Sequence, residues 1–182
     1  MTRTQPQPEF SRRVDISGLG TGERTVEIEA DADECAALAE RFGLRALDRL
    51  SATARIVRAK GSAGAVRLHA QLVADVVQSC VVALVPVPAH IDERVEVLFA
   101  PAQTTAGGGE VVIDALGEDP PEPLIDNVID VGEVVAEHLA LALDPYPRAA
   151  DAALDGGLWS DEVTEGPADG PFARLRERKN SG

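Results

Sequence analysis

The sequence predicts an α+β fold, a single domain in which two main helices pack on an antiparallel β-sheet, followed by a flexible C-terminal tail. Between residues 50 and 76, apolar and polar residues alternate on both sides of a glycine-containing turn, as in a long hairpin with one solvated face. Two other stretches, 32–42 and 131–143, repeat apolar residues at helical spacing after a capping signal. These patterns together indicate the fold class.

The N-terminal part of the chain predicts two strands and the first helix. Residues 1–8 contain two prolines and no apolar pattern, so we expect a flexible lead-in. Apolar residues then alternate within 10–29, which indicates the two strands. Asp31 and Glu34 have the spacing of a capping box, in which the aspartate accepts from first-turn amides and the glutamate reaches back. A helix is therefore expected from there to Phe42.

The middle of the chain supplies the predicted sheet. The hairpin 50–76 is followed by strands within 79–99, where Pro86 and Pro88 favour a sheet edge or a bend, because proline cannot donate to the ladder. Residues 100–123 are rich in glycine, proline and acids, and are expected to form a loop. Three consecutive glycines there do not make a phosphate-binding loop, since no Gly-Lys-Ser/Thr follows.

The second predicted helix begins with another capping box, formed by Asp130 and Glu133. It ends before Pro145, because the residue before a proline is pushed out of the α region. Glu133 and Glu137 lie one turn apart on its polar face, where like charges repel mildly. Since that pair does not favour the helix, we consider Glu133 and Glu137, together with Asp126, as candidate partner-binding residues.

The chain after the second helix has a different composition. Residues 148–182 are polar and glycine-rich, which predicts a flexible tail after a folded domain spanning 9–147. The last part of the tail is basic and contains the short block PFARL. Its Phe172 and Leu175 are candidate anchors on the folded domain.

The charge balance disfavours some partners and suggests others. With a net charge of −14 and a pI of about 4.5, the chain is a poor ligand for DNA or RNA, whose binding depends on Lys and Arg. The span 95–147 has no Lys or Arg; its acids are Glu96, Glu110, Asp114, Glu118, Asp119, Glu122, Asp126, Asp130, Glu133, Glu137 and Asp144. This span is either ordinary solvated surface or a docking surface for a basic partner. An earlier stretch is basic, with Arg41, Arg45, Arg49, Arg55, Arg58, Lys60 and Arg67.

Cysteine usage and hydropathy bound the class of protein. Cys35 lies on the apolar stripe of the first helix and Cys80 begins an apolar run, so burial is the expected role of both. Two cysteines make no disulfide framework, and neither has further ligands at zinc spacing. No apolar run approaches the ~18 residues of a membrane span, and the start lacks the apolar core of a signal peptide. We therefore expect a cytoplasmic protein without membrane contact.

Three segments, in this order, resemble the YceD family, the large ribosomal RNA subunit accumulation proteins of bacteria and chloroplasts. The first, 74–101, contains a Gln-x-Cys element. The second, 118–147, contains Asp-Val-Gly-Glu and then Glu-x-Leu-x-Leu-x-Leu-x-Pro-x-Pro, and the third is PFARL at 171–175. The motif residues that the resemblance identifies are Gln78, Cys80, Asp130, Gly132, Glu133, Glu137, Leu139, Leu141, Pro145 and Pro147.

The resemblance implies a cytoplasmic factor, not an enzyme and without a cofactor, that is needed for accumulation of large-subunit (23S) ribosomal RNA. Many relatives have a second cysteine just before the Gln-x-Cys element, and Val77 stands about there in this chain. That difference weakens any zinc or redox role that the resemblance would otherwise carry over.

Three molecular hypotheses remain open at this point. The first is an acidic adaptor for a basic ribosomal protein or a large-subunit assembly factor, associated with 23S rRNA only indirectly. The second is a metal-dependent hydrolase whose Mg²⁺ ligands would come from Asp126, Asp130, Glu133, Glu137 and His138. The third is direct rRNA binding through 41–67, which predicts an affinity that falls steeply with salt.

Overall fold

The computed structural model describes residues 8–60, 64–101 and 120–152. The elements are β1 (Arg13–Asp15), β2 (Glu23–Glu29), α1 (Ala32–Phe42), β3 (Ala46–Arg58), β4 (Val66–Ser79), β5 (Pro86–Pro101), β6 (Glu122–Leu124), β7 (Val128–Asp130) and α2 (Val131–Ala142). Both predicted helices and the predicted long hairpin, β3–β4, are therefore present. The predicted lead-in, most of the 100–123 loop and the tail with its PFARL block lie outside the described residues.

The strands form one five-stranded sheet and one small two-stranded sheet. The larger sheet has the order β2-β3-β4-β5-β6, and β1 pairs with β7 separately. All neighbours are antiparallel except β5 and β6, which are parallel at Phe99–Pro101. A parallel pair needs a connection of about a dozen residues or more, and the stretch between β5 and β6 is long enough to supply it. The predicted antiparallel sheet with two helices is confirmed, with β6 as an addition.

The core lies on the face of the sheet that carries the helices. Alternate residues of β3 and β4 are buried as the period-two pattern predicts, and they are Leu50, Ala52, Ala54, Ile56, Val66, Leu68, Ala70, Leu72, Ala74 and Val76. Helix α1 packs against β3 and presents Cys35 and Leu38, while α2 packs against β4, β5 and β1 and presents Val135 and Leu139. Burial of this apolar surface is the main stabilising contribution to the fold.

The stretch 79–99 is not continuous strand. Between β4 and β5 the chain makes a tight loop, in which the Cys80 N–H donates to the Val85 oxygen at 2.8 Å. The Leu84 N–H donates to the Cys80 oxygen at 2.9 Å, and Leu84 has a φ of 58°. Pro86 and Pro88 lie inside β5, opposite Ser79 and Val77 of β4. Within the described residues no strand pairs with the other side of β5 there, so the missing N–H groups cost no ladder bonds.

No helix in the described part of the chain has the length and hydropathy required to cross a membrane. Both cysteines are buried and unpaired with each other, as the sequence predicts.

Candidate partner-binding cleft and the junctions that support it

The Asp-Val-Gly-Glu motif fastens the N-terminal segment to the start of α2. The Asp130 carboxylate accepts a hydrogen bond from the Ser11 hydroxyl at 2.5 Å, from the Arg12 N–H at 2.8 Å and from the Glu133 N–H at 3.3 Å. In return, the Val131 N–H donates to the Arg12 oxygen at 3.0 Å. Asp130 is therefore a helix cap that also holds a segment 119 residues away in sequence.

Gly132 makes this junction possible because the N-terminal backbone lies against it. A Cβ at Gly132 would be 2.5 Å from the Phe10 oxygen and 2.9 Å from the Arg12 nitrogen. Phe10 itself is fully buried, and the Arg12 guanidinium lies over its ring at 4.7 Å. The glycine of the family motif is thus required by close approach of two backbones rather than by a special dihedral angle.

The same segment is tied to α1 through Arg12. Its guanidinium donates to the two Glu34 carboxylate oxygens at 2.7 and 2.8 Å and to the backbone carbonyl oxygen of Glu29 at 3.1 Å. The hydrogen bonds from Arg12 hold the pKa of Glu34 below its usual value. The α1 capping box is complete, since Glu34 also accepts from the Asp31 N–H and Asp31 accepts from the Glu34 N–H, both at 2.9 Å.

Glu133 does not complete the capping box that the sequence predicts for α2. Its carboxylate instead accepts two hydrogen bonds from the Arg41 guanidinium, at 2.8 and 3.1 Å, and Arg41 also pairs with Glu9 at 3.0 Å. The first of these contacts, to Glu133, raises the pKa of Arg41 further above its usual value. Glu133 is therefore an ion-paired residue that joins the end of α1 to the start of α2.

A second junction brings the Gln-x-Cys element to the Pro-x-Pro element. The Gln78 side-chain amide donates to the backbone carbonyl oxygen of Asp144 at 2.9 Å, and the Val81 N–H donates to the backbone carbonyl oxygen of Pro147 at 2.8 Å. The Ala149 N–H points at the Cys80 sulfur at 3.4 Å. Two motifs that are far apart in sequence therefore contact each other where the chain leaves α2.

The two cysteines are both buried, but for different reasons. Burial raises the pKa of the Cys35 thiol, whose helix packs on the sheet. The Cys80 sulfur instead accepts from backbone N–H groups of Ala83 at 3.3 Å, and of Val82 and Ala149 at 3.4 Å. The Ala83 N–H contributes most to lowering the pKa of Cys80, followed by that of Ala149. The predicted burial of Cys80 is confirmed, and three backbone amides contact its sulfur.

The main concave feature near the predicted acids is a cleft of about 320 Å³ between α2 and the β5–β6 edge. Apolar side chains of Phe99, Val134 and Leu141 line it, and acidic side chains stand at its rim. The rim acids are Glu96, Glu122 and Glu137, and His138 also lines the cleft. We call this feature the acid-rimmed cleft.

Two of the rim acids carry charge that no described cation neutralises. Arg67 pairs with Glu96 and lowers its pKa. Across residues 8–60, 64–101 and 120–152, by contrast, Glu122 and Glu137 make no ion pair. Partial burial raises the pKa of Glu137, and the neighbouring charges of Glu133 and Glu122 raise it further. The cleft therefore concentrates negative charge beside apolar surface.

The two motif leucines of α2 have opposite environments. Leu139 is fully buried in the core, whereas Leu141 is 81% exposed and lines the cleft. An exposed leucine is common on protein surfaces, but here it lines a cleft together with apolar and acidic side chains. Burial in the core therefore explains why position 139 is a leucine, but it does not explain the leucine at position 141.

The other predicted acids lie outside the cleft lining. Asp126 forms the turn between β6 and β7 with Asn127, where both have φ above 50° and the Val128 N–H donates to the Ile125 oxygen at 3.0 Å. Aspartate and asparagine tolerate this left-handed conformation well. The His138 ring nitrogen contacts the Val134 oxygen at 2.9 Å. In the described part of the chain, no three His, Cys, Asp or Glu residues are grouped to hold a metal ion.

Most of the predicted basic stretch is occupied by contacts within the protein. Arg45 donates to the Leu84 oxygen at 2.9 Å, and Arg58 donates to the Leu19 oxygen at 2.9 Å. Arg55 and Arg67 pair with acids, as Arg41 does. These contacts occupy some of the N–H donors that binding of rRNA phosphates would use.

A family model described as "Large ribosomal RNA subunit accumulation protein YceD" matches residues 68–177, more than half of the chain. The chain belongs to the YceD family. The family description concerns large-subunit ribosomal RNA and names an accumulation protein rather than an enzyme. Comparison with curated proteins and with solved structures gave no match. The matched range includes the Gln-x-Cys element, the whole of α2 and the PFARL block, and it begins after α1.

Several residues of the junctions were not among the sequence-predicted site residues. Ser11, Arg12 and Arg41 hold the motif acids, yet no spacing rule links them to residues about ninety or more positions later. The sequence reads these acids only as local helix caps, and it contains no signal for the distant residues that contact them. Glu122 is one acid of the predicted acidic span, and nothing in the sequence places it opposite α2.

Proposed function

We propose that this YceD-family protein is a cytoplasmic, non-enzymatic adaptor in large-subunit ribosome biogenesis. Its partner is a basic ribosomal protein or a large-subunit assembly factor, bound at the acid-rimmed cleft. In this proposal the protein supports accumulation of 23S rRNA through that partner and does not contact the RNA itself.

The unneutralised acids beside exposed apolar surface are the observation that carries this proposal. Glu122 and Glu137 can pair with Lys or Arg, while Leu141 and the walls of the cleft accept an apolar side chain of the same segment. A site with both elements selects a basic segment that also carries an apolar anchor. Bare RNA lacks the positive charge and would be repelled.

The three sequence-predicted binding acids take unequal parts in this proposal. Glu137 is central, because it lines the cleft and is unpaired among the described residues. Asp126 lies in the exposed turn after β6 and adds only to the negative field. Glu133 already pairs with Arg41, so its contribution to a partner is smaller than the sequence suggests.

The proposal is tested with the full-length protein immobilised and incubated with RNase-treated lysate and with purified basic large-subunit proteins. Leu141→Asp removes the apolar anchor site and should reduce binding at least about tenfold, which corresponds to ~1.4 kcal/mol. Leu84→Asp is the matched control, because Leu84 is 71% exposed in the β4–β5 loop and does not line the cleft. Both variants should melt within a degree or two of the unchanged protein.

A second pair of variants tests the charge. Glu122→Gln combined with Glu137→Gln should weaken binding, and the loss should shrink as salt is raised. Glu40→Gln, an exposed acid on α1, should leave binding unchanged. Binding that survives Leu141→Asp, or that disappears on RNase treatment, would contradict the adaptor proposal, and the second outcome would favour direct RNA binding.

A further inference from the structure

We propose that the C-terminal block PFARLRERKN of the same chain binds in the acid-rimmed cleft and competes there with the basic partner. The competition depends on the proposed function, whereas the binding of the block does not. The inference concerns regulation: the protein covers its own cleft until a partner displaces the block.

Charge complementarity identifies this block as the occupant. Residues 171–182 contain Arg174, Arg176, Arg178 and Lys179 against the single acid Glu177. The preceding residues, 153–170, contain five acids and no Lys or Arg. Only the end of the tail therefore has the sign that the rim of Glu122 and Glu137 attracts.

The block also offers the apolar groups that the cleft can receive. Phe172 and Leu175 are separated by three positions and flanked by arginines, so a single short segment can supply both anchors and charges. The cleft volume of about 320 Å³ suits one or two such side chains. The sequence between β5 and β6, 102–119, has four acids and no basic residue, so like charge disfavours it as the occupant.

The length of chain is sufficient for binding within one molecule. The described residues end at Ala152, eleven residues after Leu141, and 18 residues separate Ala152 from the block. A flexible segment of that length has a root-mean-square span of roughly 23 Å, comparable with the ~18 Å length of a helix like α2. Linkers of this kind give effective concentrations in the millimolar range. The family match also reaches 177, so it includes PFARL.

The test uses a fluorescent peptide of residues 168–182 and full-length proteins, with binding followed by fluorescence polarisation. The peptide should bind Phe172→Ala/Leu175→Ala, in which the tail cannot occupy the cleft, about tenfold more tightly than the unchanged protein. Leu154→Ala/Leu158→Ala is the matched control, because it removes two apolar residues of the same tail outside the block. This control should behave as the unchanged protein does.

The site of binding is tested in the Phe172→Ala/Leu175→Ala background. Adding Leu141→Asp should abolish peptide binding, and adding Leu84→Asp should not. Raised salt should weaken binding, because arginines meet carboxylates. Equal affinity for the unchanged protein and Phe172→Ala/Leu175→Ala would overturn the proposal, as would no binding to either. If the protein's own tail weakens peptide binding more strongly as the protein concentration is raised, the tail binds a second copy. That result would overturn binding within one chain.

The two proposals fail in different ways. If the peptide does not bind but a basic large-subunit protein still requires Leu141, the adaptor function stands and the regulation by the tail is wrong. If the peptide binds in a Leu141-dependent manner but no basic large-subunit protein does, the tail docks as inferred and the adaptor function is wrong. If both hold, Phe172→Ala/Leu175→Ala should bind the partner more tightly than the unchanged protein.

Discussion

Gly132→Ala is the sharpest test of how the N-terminal segment is held. In a helix interior this substitution usually stabilises by about 1 kcal/mol, because glycine has the poorer propensity. Here the new methyl group would lie 2.5 Å from the Phe10 oxygen and 2.9 Å from the Arg12 nitrogen. Both atoms belong to backbone, so the contact cannot be relieved by rotating a side chain. The segment that contains Phe10 and Arg12 must move away from α2.

The cost of that movement follows from what the segment contacts. The Arg12 N–H bond to the Asp130 carboxylate contributes about 2 kcal/mol, as hydrogen bonds to charged groups do. Partial exposure of the fully buried Phe10 ring costs roughly 2 kcal/mol more. After the helix-propensity gain is subtracted, we expect a net loss of about 3 kcal/mol, within the range found for overpacked sites. The Tm should fall by roughly 6–12 °C.

Urea denaturation followed by far-ultraviolet circular dichroism measures this loss. The midpoint should fall with at most a small decrease in the slope m, since the exposed part of Phe10 is a small share of the surface that unfolding exposes. Gly20→Ala is the control, because a Cβ at Gly20 meets nothing within 4 Å. It should be neutral, or stabilising by up to about 1 kcal/mol. If Gly132→Ala melts at or above the unchanged protein, the N-terminal segment is not held against α2 as described.

Three further predictions test the junctions. A double-mutant cycle of Arg41→Ala and Glu133→Gln should give a coupling free energy of unfolding of about 1 kcal/mol. The value is modest because both side chains are partly exposed, and a coupling of zero would refute the ion pair. Glu34→Gln should be destabilising above about pH 5. The difference in stability between the two proteins should disappear as the pH falls below the usual Glu pKa of 4.5 and through the lowered pKa of Glu34 in the folded protein. A difference that does not change with pH would contradict a role for the charge of Glu34. Cys80→Ser should be more stable than Cys80→Ala, because an oxygen still accepts the amide N–H groups. At Cys35 we expect the opposite, with Cys35→Ala more stable than Cys35→Ser. If urea denaturation gives the same order of the Ser and Ala variants at both sites, the two environments are alike and the prediction is wrong.

The two helices, the β3–β4 hairpin and their buried faces could be predicted from the sequence alone. Apolar and polar residues alternate strictly on both sides of Leu68, so only one face of the hairpin can lie in the core. The helical spacing of Val135 and Leu139 likewise predicts the buried face of α2. Asp31 and Asp130 marked both helix starts, since a cap depends on residues within one turn. These features are local, so the sequence contains all the information that they need.

What each motif residue contacts could be established only from the packing of the folded chain. Glu133 was predicted as half of a local capping box, but Arg41 is a stronger partner because a guanidinium offers two charge-assisted hydrogen bonds. Gly132 could be understood only once the N-terminal backbone was seen against it. Likewise, Glu122 meets α2 because β6 pairs in parallel with β5, and a parallel pairing leaves no local signal. Contacts between distant segments depend on how the elements pack, and no local spacing in the chain encodes them.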